Sequence, residues 1–217
     1  MPAPVNAPRV PRPLIAAMVV QFAATGAVLP FVTLLLRDRG LTYDRISLVF
    51  LAASSTMLVF PFLWGMLADR FVPLNRLFIL MNVLGASALG GMAVQQGFTG
   101  ALLAFACYTA CMNPTFALVV ALSFHHLPRP REQFGRLRAW GSLGWIVPFL
   151  PISLWTARDA EGNLGVILYL GMALCVGMAA LSFWLPHTPP RARKETDGAS
   201  GRHLYFPAVK RLLTDAN

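Results

Sequence analysis

The sequence predicts an all-α membrane protein, a bundle of six transmembrane helices arranged as an inverted 3+3 repeat. Three observations carry this. Of the 217 residues, 56% are hydrophobic and 12% charged, whereas a soluble domain carries about 25% charge. Six apolar runs, roughly 14–36, 46–67, 77–94, 101–124, 140–156 and 164–185, contain no acidic residue, histidine, lysine or arginine. Thr25 and Thr109 each stand five residues before a proline, Pro30 and Pro114, in the first and fourth runs, the kind of paired feature that transporter half-repeats leave in a sequence.

Each run has close to the ~20 residues that cross a hydrocarbon core of about 30 Å as a helix. A helix is the form such a run takes, because lipid leaves no other partner for its backbone groups. Residues 1–13 read as a cytoplasmic tail. The run at 14–36 is too long for the ~7–15 apolar residues of a signal peptide and is read as a retained span. Short connections follow at 37–45, 68–76, 95–100 and 157–163, and the longest, 125–139, carries four arginines. Pro30, Pro61, Pro114, Pro148 and Pro151 fall within spans, where each removes a backbone donor and kinks or interrupts the helix. In the third span, Ala86 with Gly90 and Ser87 with Gly91 are small-residue pairs suited to close helix packing, as are Gly141 and Gly144 in the fifth. Trp64, Trp140, Trp155 and Trp184 stand near span ends as interface anchors. Residues 186–217 turn charged and proline-rich, a cytoplasmic linker with a short amphipathic helix possible at its end.

Fourteen of the eighteen lysines and arginines fall on the side of the N-terminus, so both termini are expected in the cytoplasm of a multi-pass protein. A bacterial cytoplasmic membrane is the expected location. The net charge of +9 is then a topology signal and a match to anionic lipid. No nucleic-acid partner is expected, because the basic residues are spread over every inner segment. Cys107, Cys111 and Cys175 lie inside spans, as small packing residues.

The stretch GMLADRFVPLNR, between spans two and three, resembles the loop signature of the major facilitator superfamily. Gly65, Asp69, Arg70 and Arg76 match it, while Val72 stands where a second glycine is usual. FGRLRAWGSLGW, at the start of span five, resembles the lactose-permease and phenylpropionate/nucleoside-permease branch, and the similarity covers spans one to six. The resemblance implies the N-terminal half of a major facilitator fold, with a second six-helix bundle as partner, either a missing C-terminal half or another chain. It also implies a gating loop of Gly65, Asp69, Arg70 and Arg76, in which Gly65 lets helices approach closely and Asp69 caps a helix or pairs with an arginine. In that branch the arginine matching Arg138 enters the central cavity and pairs with an acid eighteen positions earlier. That position is Val120 here, which departs from the pattern.

Spans one and four line the cavity in the superfamily, which makes Gln21, Thr25, Tyr108, Asn113 and Thr115 candidate substrate contacts, with Arg138 and Trp145 from span five. Each in-span polar group could equally bond a neighbouring helix. Arg136 and Arg138 could instead anchor the helix to lipid phosphates, whereas Arg138 in a water-filled cavity could hold an acceptor-rich solute through its planar fork. Serines such as Ser54 and Ser55 tend to bond their own backbone.

The function expected is secondary active transport of a small organic solute by alternating access, with proton symport as one form it could take. Any proton carrier would lie in the other half, since these spans hold no titratable carboxylate or histidine. The alternative is a six-span scaffold or regulatory subunit without transport. No enzyme is expected: an intramembrane protease would need a histidine within a span, and no metal or other cofactor has a ligand cluster to hold it.

Overall fold

The structure, a computed structural model, describes residues 10–158, 164–186 and 188. The N-terminal tail before residue 10 and the expected linker and amphipathic helix beyond residue 188 lie outside the described residues. The elements are α1 (Arg12–Gly26), α2 (Val32–Asp38), α3 (Tyr43–Arg70), α4 (Leu74–Val94), α5 (Phe98–His126), α6 (Pro130–Ile146), α7 (Phe149–Arg158) and α8 (Val166–Leu181), which runs into a 3-10 turn at Ser182–Trp184. Among the described residues there are helices and turns and no strands.

Among the described residues four helices are long and apolar enough to cross a membrane: Tyr43–Arg70, Leu74–Val94, Phe98–His126 and Val166–Trp184. The first and fifth expected spans are each divided at a proline. Pro30 follows a tightened turn in which the Val28 N–H donates to Thr25 O at 3.1 Å and the Phe31 N–H to Val28 O at 3.1 Å, the i→i−3 pattern that often ends an α-helix. Pro148, which lacks the N–H that would continue the ladder, stands between α6 and α7. Pro61 and Pro114 leave α3 and α5 continuous. At Pro114 the structure shows the compensation: the carbonyl of Ala110, four residues back, accepts a hydrogen bond from Trp64 Nε1 at 2.9 Å. Trp64 is thus a packing partner of α5, and its position near a span end does not make it chiefly an interface anchor.

The connection expected at 125–139 is shorter than the arginine content implied. Helix α5 runs to His126 and α6 starts at Pro130. Proline suits the first turn of a helix, where its missing donor costs nothing, and Glu132 in that turn favours the positive helix end. The arginines at 131, 136 and 138 therefore ride on a helix that continues directly into the fifth apolar run.

Helix α1 packs against α6 and α8, while α5 packs against α3 and α4; α4 and α8 pack on each other. One core cluster gathers Val28, Val32, Leu36, Leu89, Met92, Phe105 and Ile167 toward the end of the bundle that carries Gly40, and a second gathers Leu14, Met18, Phe78, Met81, Leu122 and Met178 toward the opposite end. At the Gly40 end Arg39 ties the α2–α3 connection to α4, its Nη1 donating to Met92 O at 2.8 Å. Burial lowers the Arg39 pKa from its ordinary value, against an opposing contribution from the Asp38 charge.

The small residues act unevenly. A methyl group at Gly144 would overlap the Val19 carbonyl oxygen, and one at Gly26 would lie 2.5 Å from the Trp145 carbonyl oxygen. These two glycines let α1 and α6 touch backbone to backbone. In α4 the close contact falls to Gly85, where a methyl would lie 2.8 Å from Met112 Sδ, while Gly91 faces open space and Ser87 is exposed. The Ala86–Gly90 and Ser87–Gly91 pairs are therefore not the tightest seam of that helix.

Candidate functional site

An open groove of about 470 Å³ runs between α1, α5 and α6, lined by Phe22, Phe116, Val120, Arg138, Ser142, Trp145 and Ile146. Its composition follows from helix periodicity. Phe116 and Val120 are one turn apart on α5, and Arg138, Ser142, Trp145 and Ile146 recur at the spacing of a single helix face on α6. Phe22 enters from α1, held there by the glycine contact between α1 and α6.

The groove wall is aromatic and carries one charge. The guanidinium of Arg138 lies 4.3 Å from the Phe22 ring centroid. Phe22 meets Phe116 edge to face at 4.7 Å, and Phe116 lies 6.4 Å from Trp145. A cation on an aromatic face gains about 0.5–2 kcal/mol, more when water is excluded. The planar guanidinium also carries five N–H donors in a fixed fork. Among the described residues no carboxylate pairs with Arg138. Val120 does line the same groove, so the site that would hold a paired acid is filled by an aliphatic side chain facing Arg138.

Of the sequence-expected contacts, the structure brings Arg138 and Trp145 together in the groove. Gln21, Thr25, Tyr108 and Thr115 it buries completely. Thr25 Oγ1 donates to Gln21 O at 3.3 Å, the Tyr108 hydroxyl to Ala24 O at 3.1 Å and Thr115 Oγ1 to Met112 O at 2.5 Å. Gln21 Oε1 accepts from Asn82 Nδ2 at 3.2 Å. These groups join or brace helices inside the bundle and do not reach the groove in this structure. The reason is angular: successive helical residues differ by about 100°, so Phe22 faces the groove while its neighbour Gln21 faces α4. Asn113 is half-buried on α5 and is not among the groove residues.

Gly65, Asp69 and Arg70 form the last turns of α3, and Arg76 sits in the first turn of α4. Nothing lies within 4 Å of a methyl placed at Gly65, so the expected close helix approach does not occur there. Asp69, Arg70 and Arg76 are exposed, and among the described residues Asp69 makes no ion pair.

Sequence reasoning missed Phe22, Phe116, Ser142 and Ile146, which carry no polar signal or one shared with many in-span residues. It also missed Asn82, a buried amide in the third span that contacts Gln21. No group of three or more His, Cys, Asp or Glu side chains that could hold a metal occurs among the described residues.

Residues 14–211 match the MFS_1 like family over most of the chain. The chain belongs to this family. It is 27% identical over 185 residues to the Escherichia coli (strain K12) protein named "Putative nucleoside transporter YegT", an alignment covering 83% of this chain and 43% of that protein. The fold is similar to that of the nucleoside transporter NupG in its D323A mutant, with a TM-score of 0.72 and 21% identity over 87% of this chain and 46% of that one. It is also similar to the POT family transporter PepTSo, at a TM-score of 0.69 and 13% identity over 94% and 42%. The chain thus spans less than half the length of these relatives, and the N-terminal half of a major facilitator transporter fits the similarity. Four apolar helices and transporter relatives make it an integral membrane protein.

Proposed function

We propose that this chain is the first six-span bundle of a secondary transporter, that the groove at Arg138 is its share of the solute cavity, and that the solute is a small organic molecule of the nucleoside kind. The observation that carries this reading is the groove itself, a chain of three aromatic rings ending in a guanidinium whose donors have no carboxylate partner among the described residues. An aromatic base or similar planar ring stacks well on such a wall, and an acceptor group on the solute would take the Arg138 donors. Ser142 adds a hydroxyl that can donate or accept.

The packing pattern supports the inverted repeat. The first span meets the fifth as the fourth meets the second, the first meets the sixth as the fourth meets the third, and the third and sixth meet each other, which is the symmetry a 3+3 repeat generates. On this reading residues 14–185 form the bundle, both termini face the cytoplasm of a bacterial inner membrane, and a second bundle closes the groove. Alternating access is then the rocking of the two bundles about the groove, with the α3–α4 turn (Gly65, Asp69, Arg70 and Arg76) at its inner gate. If the cycle carries a proton, the second bundle supplies the titrating group.

Uptake of labelled nucleoside into vesicles holding the chain together with a second bundle tests the proposal. Uptake that falls in the Arg138→Ala variant while the chain remains in the membrane supports it. Absence of uptake with every second bundle would leave the chain a scaffold.

A further inference from the structure

We propose that the elbow between α5 and α6 is a headgroup site for an anionic phospholipid. Outside the transport groove, a second cavity of about 390 Å³ is lined by Phe124, Arg129, Pro130, Arg131 and Glu132. Its chemistry is divided. Phe124 is 47% exposed at the end of an apolar span and is backed by Phe134, with ring centroids 4.7 Å apart. That apolar wall lies in the last turn of an apolar span, and the arginines stand just beyond the end of α5, the order in which acyl chains and phosphates follow one another at a membrane surface.

The charge at the elbow is not neutralised from within. Arg129 contacts Glu132 at 3.5 Å, a loose pair between side chains that are 47% and 69% exposed. Exposed pairs of this kind contribute little, and Arg131 makes no ion pair among the described residues. One net positive charge therefore faces the cavity. Two guanidinium forks about a cavity are suited to phosphate oxygens, and basic pockets between spans at the cytoplasmic surface hold anionic headgroups. A free solute phosphate would not need the exposed phenylalanine, and for that reason the occupant assigned is a lipid. The site uses none of the groove residues, so it stands whether or not the chain transports nucleosides.

The test is native mass spectrometry of the full chain in detergent, exchanged with equal amounts of phosphatidylglycerol and phosphatidylcholine. The chain should keep phosphatidylglycerol preferentially. Arg129→Gln with Arg131→Gln should lower its retention about thirtyfold, as expected for two interfacial arginines, while Arg129→Lys with Arg131→Lys should keep most of it. Arg12→Gln with Arg76→Gln, which removes the same charge from the same end of the bundle, should leave retention unchanged. Equal losses in the two glutamine pairs would show diffuse charge and overturn the site, as would equal retention of both lipids. Complete displacement by millimolar inorganic phosphate would show an anion site that does not recognise lipid, and would overturn the assignment too.

Discussion

Replacing Gly144 by alanine tests the seam on which the groove is built. The new methyl would overlap the Val19 carbonyl oxygen and stand 2.8 Å from Val19 Cα, where ordinary contact begins at 3.4 Å. The obstruction is backbone, so no side-chain rotation relieves it. Helices α1 and α6 must part by more than half an ångström, and the paired contact of Gly26 with the Trp145 carbonyl opens with them. Overpacking of this kind costs about 1–3 kcal/mol. Gly91→Ala is the matched control, since nothing lies within 4 Å of its methyl and alanine raises helix propensity by about 1 kcal/mol. Reversible unfolding in mixed micelles, followed by circular dichroism against added denaturing detergent, measures both. Gly144→Ala should unfold earlier than the parent and Gly91→Ala no earlier. A neutral Gly144→Ala would refute the backbone contact between α1 and α6.

Other outcomes follow from individual contacts. Trp64→Phe keeps the ring and removes the donor to Ala110 O, leaving a buried carbonyl freed by Pro114; a loss of about 1–3 kcal/mol is expected in the same assay. Asn82→Leu should destabilise by a similar amount, because it leaves the buried Gln21 carbonyl oxygen without its donor, and Gln21→Leu by less, because Asn82 Nδ2 still donates to Phe78 O at 2.9 Å. The double variant should recover most of the loss, a coupling that a double-mutant cycle reads directly. On the proposed function, Arg138→Ala should lower nucleoside uptake about tenfold to a hundredfold, the range of a charged hydrogen bond worth about 1.5–3 kcal/mol.

Much of the architecture was legible because lipid imposes it. Charge-free runs of span length identified the helices. The helix breaks at Pro30 and Pro148 and the continuity at Pro114 could not be separated in advance, since the group that receives the carbonyl freed at Pro114 is Trp64, a residue 46 positions away in sequence. The site was legible only through Arg138 and Trp145. In a soluble helix a polar residue marks the wet face, but in a membrane bundle the polar residues turn inward to meet one another, as Gln21 meets Asn82. Here the groove is left to Phe22 and Phe116. Selecting polar residues therefore found the braces of the bundle more often than the lining of the groove.

The central claim is that the face of α6 carrying Arg138 opens on a water-filled solute cavity. Ser142 lies on that face and is exposed, and a Ser142→Cys variant in a background lacking the exposed Cys107 reports on it directly. In vesicles containing the chain and a second bundle, a membrane-impermeant thiol reagent should label this cysteine if the proposed function holds, and nucleoside should slow the labelling. A cysteine that stays unlabelled from both faces of the membrane, or labels at one rate with and without nucleoside, would contradict the account.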